Sequence, residues 1–564
     1  SGFPAIGLTF PGSEADRTEC CPVPQDQKPS MTITETAPDT EPEASQPVPS
    51  PLESLATGTD HRFLGRAWAA AGGLFLLVCL VVGVLVGIER IGLDDAEVFR
   101  SGDEVFQFWS LYRVGLVLLA VVPLLLGLAT AVTPLQVGAS SIVFPRAAAL
   151  AFWTWLVGAV VTIVGFLADG GLGTPDAGSQ RQAVALTLVG LLLVIAGISL
   201  ATVCVVTTVV AARTSGMTLR RIPYFSWSML VAGTLWLTTL PVLAANAVLA
   251  YVDLRGRTAV HFGAEDHIWD QLSWAFTHPQ VYALALPLIG IAFDVVGAAA
   301  GVRQRNHDVV LVAIGLFGAV GFGAYAQSFF DTPGTPVMEE ALYVVDAFVA
   351  VPLLLVLLGG LADSLRRGAA NLGRRPPAPM VLAVFSVLLL LAGTLIGAVR
   401  SVASLDLLER STTGAQMTFT VGAALVGVIA GMLWWGDRIV GRSAPQGLGL
   451  LAGLTVTVGV VLSGLPDTIS GFLGMNDFPG ADEVTAGSPG SGVGALNAVA
   501  AVGALTILAG ALAGALVAWR RLGGPAAPAD PWGGHTLEWA TSPVVVSSER
   551  PLLDAHAPTD EEVD

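Results

Sequence analysis

The sequence predicts an all-α polytopic membrane protein of twelve transmembrane helices. Composition is the first of three observations that lead there. Of 564 residues, 53% are hydrophobic and 13% charged, and the mean hydropathy is +0.70. Those values belong to a membrane chain and exclude an ordinary soluble domain. The second observation is a set of apolar runs of spanning length, near residues 65–88, 111–135, 147–169, 182–212, 226–252, 270–302, 309–330, 337–364, 378–400, 414–436, 446–465 and 491–519. The third is the placement of arginine between the runs. With an inward N-terminus, Arg62, Arg66, Arg146, Arg213, Arg220, Arg221, Arg303, Arg305, Arg366, Arg367, Arg374, Arg375, Arg438, Arg442, Arg520 and Arg521 fall on one side. Arg90, Arg100, Arg113, Arg181, Arg255, Arg257, Arg400 and Arg410 fall on the other. The first side carries about twice as many, the cytoplasmic excess that sets orientation. Both termini are therefore expected in the cytoplasm.

The ends differ from the middle. Residues 1–57 are rich in Pro, Glu, Ser, Thr and Asp without a periodic apolar face, and read as a disordered tail. Met31 opens an acidic stretch, and residues 1–30 are read as an extension upstream of it. The membrane domain is expected over 58–523, and 524–564 as a loosely ordered cytoplasmic tail. The net charge of −17 comes largely from the two tails, so no nucleic-acid partner is read from it. Cys20, Cys21, Cys79 and Cys204 form no CxxC or Cys/His cluster, which leaves no zinc or iron–sulfur signature.

The stretch with most chemistry is Trp274-Ala-Phe-Thr-His-Pro-Gln-Val-Tyr282. His278 and Tyr282 are four residues apart, which puts both on one helix face. Polar side chains in hydrocarbon are costly, so such a pair faces the bundle interior and marks a site. The plainer reading is a hydrogen-bonded histidine beside a packed tyrosine.

The longer segment from Asp266 to Tyr282 resembles the sixth helix of subunit I of the haem–copper oxidases, the cytochrome c oxidase family. Four further segments resemble that family in order. They are Asp60-His-Arg-Phe-Leu-Gly65, Gly138-Ala-Ser-Ser-Ile-Val-Phe-Pro-Arg146, Ile222-Pro-Tyr-Phe-Ser-Trp227 with Leu240-Pro-Val-Leu-Ala244, and Pro531-Trp-Gly-Gly-His-Thr-Leu-Glu-Trp539. The resemblance implies a low-spin haem held by histidines of helices two and ten, and a high-spin haem on a second helix-ten histidine. It also implies copper on the helix-six histidine plus two adjacent ones in helix seven, with proton carriers and partner subunits of types II and III.

Residue by residue, this chain departs from that pattern. Its seven histidines leave none between His61 and His261 or between His307 and His535. The helix-two ligand position holds Tyr112, and the paired copper positions hold Gln327 and Ser328. In helix ten, two registers give either Ala415 and Met417 or Gly414 and Gln416. Where the family sets two arginines against the haem propionates, this chain reads Gly474-Met-Asn-Asp-Phe-Pro479, whose Asp477 would repel them. Gln280, Ser141 and Val356 stand at the family's proton-carrying glutamate, aspartate and lysine, and Gln and Val exchange no proton near neutral pH.

New acids appear at Asp346 in helix eight and Asp294 in helix six. Asp294 is expected to be hydrated at the cytoplasmic end. Asp346 is a candidate for the polar core with Tyr325, Gln327 or His278.

The main reading is a degenerate subunit I of a bacterial plasma-membrane respiratory complex, surrounded by lipid and partner subunits. It is structural, without haem or copper, and keeps His278, Tyr282, Gln280, Gln327 and Ser328 as the remnant of a site. Two alternatives stay open: a haem enzyme ligated by Tyr112 and Met417, both known axial ligand types, or a proton or small-molecule conduit around Asp346.

Overall fold

A computed structural model describes residues 58–92, 98–173, 178–256, 268–277, 279–322, 337–373, 375–408, 410–477, 490–534 and 536–540. Each of the twelve apolar runs corresponds to a helix. They are α1 (His61–Glu89), α2 (Gly102–Val137), α3 (Pro145–Leu167), α4 (Gly178–Ala211), α5 (Tyr224–Gly256), α6 (Ile268–Thr277 and Pro279–Ala299), α7 (His307–Val320), α8 (Val337–Arg367), α9 (Ala378–Arg400), α10 (Thr412–Val440), α11 (Gln446–Phe472) and α12 (Gly490–Leu522). Eleven of these are long and apolar enough to cross a membrane, and α7 is a shorter apolar helix.

The centre of the bundle is α2, α6 and α10. All of the most apolar window of α2 is buried, and 83% of those of α6 and α10. The other helices pack around them and turn large apolar side chains outward, among them Leu150 and Val164 on α3 and Leu355 on α8. Lipid tails tolerate that surface, because a helix satisfies most of its backbone polar groups internally. Close approach rests on small residues. A Cβ on Gly158 of α3 would lie 2.6 Å from the amide nitrogen of Val194, and one on Gly503 of α12 would lie 2.4 Å from that of Ser463. Without side chains there, the helices meet backbone to backbone, where dispersion contacts hold them.

Proline shapes the middle of α2. Residues Gly115–Val121 form a widened π turn just before Pro123. In such a turn the Leu118 carbonyl would bond the nitrogen of residue 123, and proline has no N–H to give. The indole of Trp155 on α3 supplies it instead, donating to Leu118 O at 3.1 Å.

Two expectations change. The arginines assigned to outer loops are in part interior: Arg113 and Arg400 are buried inside helices, and Arg90 is mostly covered. Residues beyond 524 are docked, not loose, as far as residue 540. Trp532 stacks on Trp434 with centroids 5.0 Å apart, and Trp539 and Glu538 are buried.

Candidate functional site

At the end of the bundle away from the α1 N-terminus, α1, α2, α10, α11 and α12 enclose a cavity of about 50 Å³. Tyr112, Arg113 and Met417 line it together with Arg90, Asp467 and Asn497. Helix α2 delivers Tyr112 and Arg113, and α10 delivers Met417. Of the two helix-ten candidates, Met417 lines this cavity with Tyr112, and Gln416 lines a different one. Two ion pairs cross the cavity wall. Arg113 Nη2 meets Asp477 Oδ1 at 2.7 Å, and Arg90 Nη2 meets Asp467 Oδ1 at 2.9 Å. Arg113 also donates from Nη1 to the Met417 sulfur at 3.2 Å, and its guanidinium lies 5.1 Å from the Trp109 ring centre. Asp477, expected to repel an anion, is thus neutralised by an arginine from a different helix.

Backbone without side chains makes room for this arrangement. A Cβ on Gly83 would fall 2.5 Å from the Tyr112 ring, so that glycine is the groove the ring lies in. A Cβ on Gly414 would fall 2.5 Å from Asp477 and 2.6 Å from Arg113.

A haem held between Tyr112 and Met417 needs a phenolate and a free thioether facing a volume the size of a porphyrin. The thioether here is taken by a guanidinium. The cavity of about 50 Å³ compares with roughly 300–1,000 Å³ for an ordinary small-molecule site. As arranged, these residues do not fit a haem.

The second place with polar residues lies between α6, α8, α9 and α10. Tyr282 and Gln416 line a cavity of about 10 Å³ with Phe317, Ala347, Thr394 and Gly397. Gln416 Oε1 is buried without a hydrogen-bond partner, and the space suits roughly one water molecule. Gln280, two residues before Tyr282, is buried and accepts from Trp236 Nε1 at 3.1 Å. Arg400 is buried beside this region and donates to Thr413 Oγ1 at 2.7 Å. Asp346 is half-buried on α8 and makes no hydrogen bond or ion pair with the described residues. His278, Gln327 and Ser328 lie outside the described residues. Among the described residues no group of three or more His, Cys, Asp or Glu could hold a metal ion. Val356, matched to an inward lysine, is 49% exposed on the outer face of α8.

The opposite end holds a cluster that sequence reasoning missed. Asp294, expected to be merely hydrated, accepts from the backbone N–H of Tyr224 and Phe225, each at 3.0 Å. Gln136 Nε2 donates to Asp294 Oδ2 at 3.0 Å and to Glu538 Oε1 at 3.2 Å. Its oxygen accepts from Ser226 at 2.6 Å, and Trp435 Nε1 also donates to Glu538 at 3.1 Å. The signal was available as an acid inside a C-terminal segment that otherwise carries tryptophans.

Comparisons with known proteins bear on what these sites descend from. Residues 63–506 match the family model described as cytochrome c and quinol oxidase polypeptide I. Cytochrome c oxidase subunit 1 of Bacillus subtilis (strain 168) is 28% identical over 511 residues, covering 87% of this chain and 80% of that protein. A probable cytochrome c oxidase subunit 1-beta of Nocardia farcinica is 27% identical over 552 residues, 91% of this chain and 90% of that protein. A solved heme-copper terminal oxidase dimer superposes with a TM-score of 0.67 at 15% identity, covering 88% of this chain and 89% of that one. At that identity the likeness is one of fold.

Proposed function

Because the chain belongs to the cytochrome c and quinol oxidase polypeptide I family, we propose that it is a subunit I-type core of a respiratory membrane complex that keeps the scaffold and has exchanged its redox centre for side-chain pairing. The observation that carries this reading is the Arg113 guanidinium, which occupies the Met417 sulfur and the Asp477 carboxylate at once. Arginine is always charged and presents a rigid set of donors, so it holds such a position permanently. Subunits of types II and III are the partners the family implies, and lipid covers the remaining apolar surface. The arginine asymmetry puts both termini in the cytoplasm of a bacterial plasma membrane. Labelling of a Ser179→Cys variant from the outer face checks that orientation, and labelling from the cytoplasm alone would reverse it.

The alternative of a haem on Tyr112 and Met417 is favoured by one fact, that the two residues share a cavity. A conduit at Asp346 is favoured only by an acid in a membrane helix without a partner among the described residues. The test of the proposal is His278→Ala. In the proposed protein His278 and Tyr282 are a hydrogen-bonded remnant. The variant then loses on the order of 1 kcal/mol of stability in detergent and leaves oxygen uptake of the parent complex unchanged. Full stability with abolished uptake would make the pair catalytic.

A further inference from the structure

The end of the bundle that receives the C-terminal segment holds two carboxylates where one amide group serves both. Asp294 comes from α6 and Glu538 from the segment after α12, and each lies within hydrogen-bond reach of the same Gln136 nitrogen. Neither has an ion-pair partner among the described residues. Asp294 has four oxygen lone-pair sites against three donors, the Tyr224 and Phe225 amides and Gln136. Glu538 Oε1 takes Gln136 and Trp435, while Oε2 is buried with no hydrogen-bond partner among the described residues. Glu538 is 2% exposed. An orphaned, buried carboxylate oxygen costs the full desolvation of a charged group, unless it carries a proton.

The charged and titratable groups around the pair are all engaged elsewhere. On α10, Asp437 is paired with Arg521 of α12 at 3.1 Å, and Arg438 donates to the Ala540 carbonyl at 3.2 Å. From α5, the Tyr224 hydroxyl is bonded to His307 of α7 at 2.5 Å, whose other ring nitrogen bonds Arg220 O. Helix α2 contributes only neutral Gln136, and α5 also neutral Ser226. His535 lies outside the described residues. Among the described residues nothing cationic is therefore directed at either carboxylate.

We infer that Asp294 and Glu538 form a proton-binding site, holding one proton between them, and that this proton fastens the 536–540 segment to the helix bundle. Two like charges sharing one donor cannot both be accommodated in a dry site, so one ionises and the other stays neutral, as in any close carboxylate pair. Burial also pushes the Glu538 carboxyl above the ordinary glutamate range, against its own backbone amide and the Thr536, Trp435 and Gln136 donors that favour its anion. A group whose titration is raised in the folded state stabilises that state below its ordinary range and loses the contribution as pH rises through the raised value. Docking of the segment must then weaken toward alkaline pH, when the shared proton leaves.

The experiment uses the full chain in detergent with Cys20→Ser and Cys21→Ser and a nitroxide on Ala540→Cys. Its mobility is followed between about pH 5 and pH 9, where such a pair titrates. The docked-to-free ratio should fall with rising pH by up to about tenfold per unit, the slope of one proton. Glu538→Gln keeps an acceptor oxygen and supplies a permanent donor, so its segment should stay docked across the range. Asp294→Asn should move the release to higher pH, because Glu538 then loses its proton without a like charge beside it. Three results would overturn the inference. The wild-type segment could show no pH dependence. Both variants could release at the wild-type pH. Glu538→Gln could be free at every pH while circular dichroism shows the bundle intact, which would make the Glu538 charge itself the fastening.

Discussion

Arg113 decides the character of the central cavity, and it does so against two sequence expectations. Counted as an outer-loop charge, it is in fact buried in α2 and bridges Met417 and Asp477. Removing one partner of a buried pair leaves the other charge desolvated, at a cost of roughly 3–5 kcal/mol. Asp477 is 16% exposed, which places Asp477→Asn toward the lower end. Thermal unfolding in detergent should register that loss, and an unchanged midpoint would show the pair to be incidental. That no histidine stands at the matched positions of helices two, seven and ten was legible in the sequence, because it needs only the letters there. What replaced them was not. Arg113, Met417 and Asp477 lie in three separate elements, and no local spacing links residue 113 to residue 477. Gln416 and Met417, neighbours in sequence, line different cavities, which no local pattern showed.

Among the elements, α2 shows how local chemistry and packing answer each other. Pro123 removes a donor, the turn before it widens, and Trp155 of α3 fills the vacancy at Leu118 O. Trp155→Phe keeps an aromatic ring and deletes the N–H, leaving a buried carbonyl unpaired at about 1–3 kcal/mol. A lowered unfolding midpoint is expected, whereas a midpoint equal to wild type would mean that the carbonyl does not depend on the indole. Helix positions were readable from apolar runs alone, since a spanning segment declares itself by length and hydropathy. The docking of residues 532–539 was not readable. Its Pro and Gly content looks like a loop, and its anchors, Trp434, Trp435 and Gln136, lie about a hundred or more residues away in sequence.

For the whole molecule, the proposed reading is a membrane bundle of this family that maintains its architecture while the chemistry at its centre changes. The innermost helices α2, α6 and α10 are also those that carry Tyr112, Tyr282 and Met417. Ion pairs and packed rings can therefore take over the interior without disturbing the lipid-facing helices. Fold belongs to the layered apolar surfaces and function to the site, which is why the two can part. The most direct measurement is a reduced-minus-oxidised difference spectrum of the purified chain, with iron and copper counted in the same sample. The proposed exchange of cofactor for side chains predicts no haem bands and neither metal in stoichiometric amount. One haem per chain, with a spectrum that shifts in Tyr112→Phe or Met417→Leu, would contradict it.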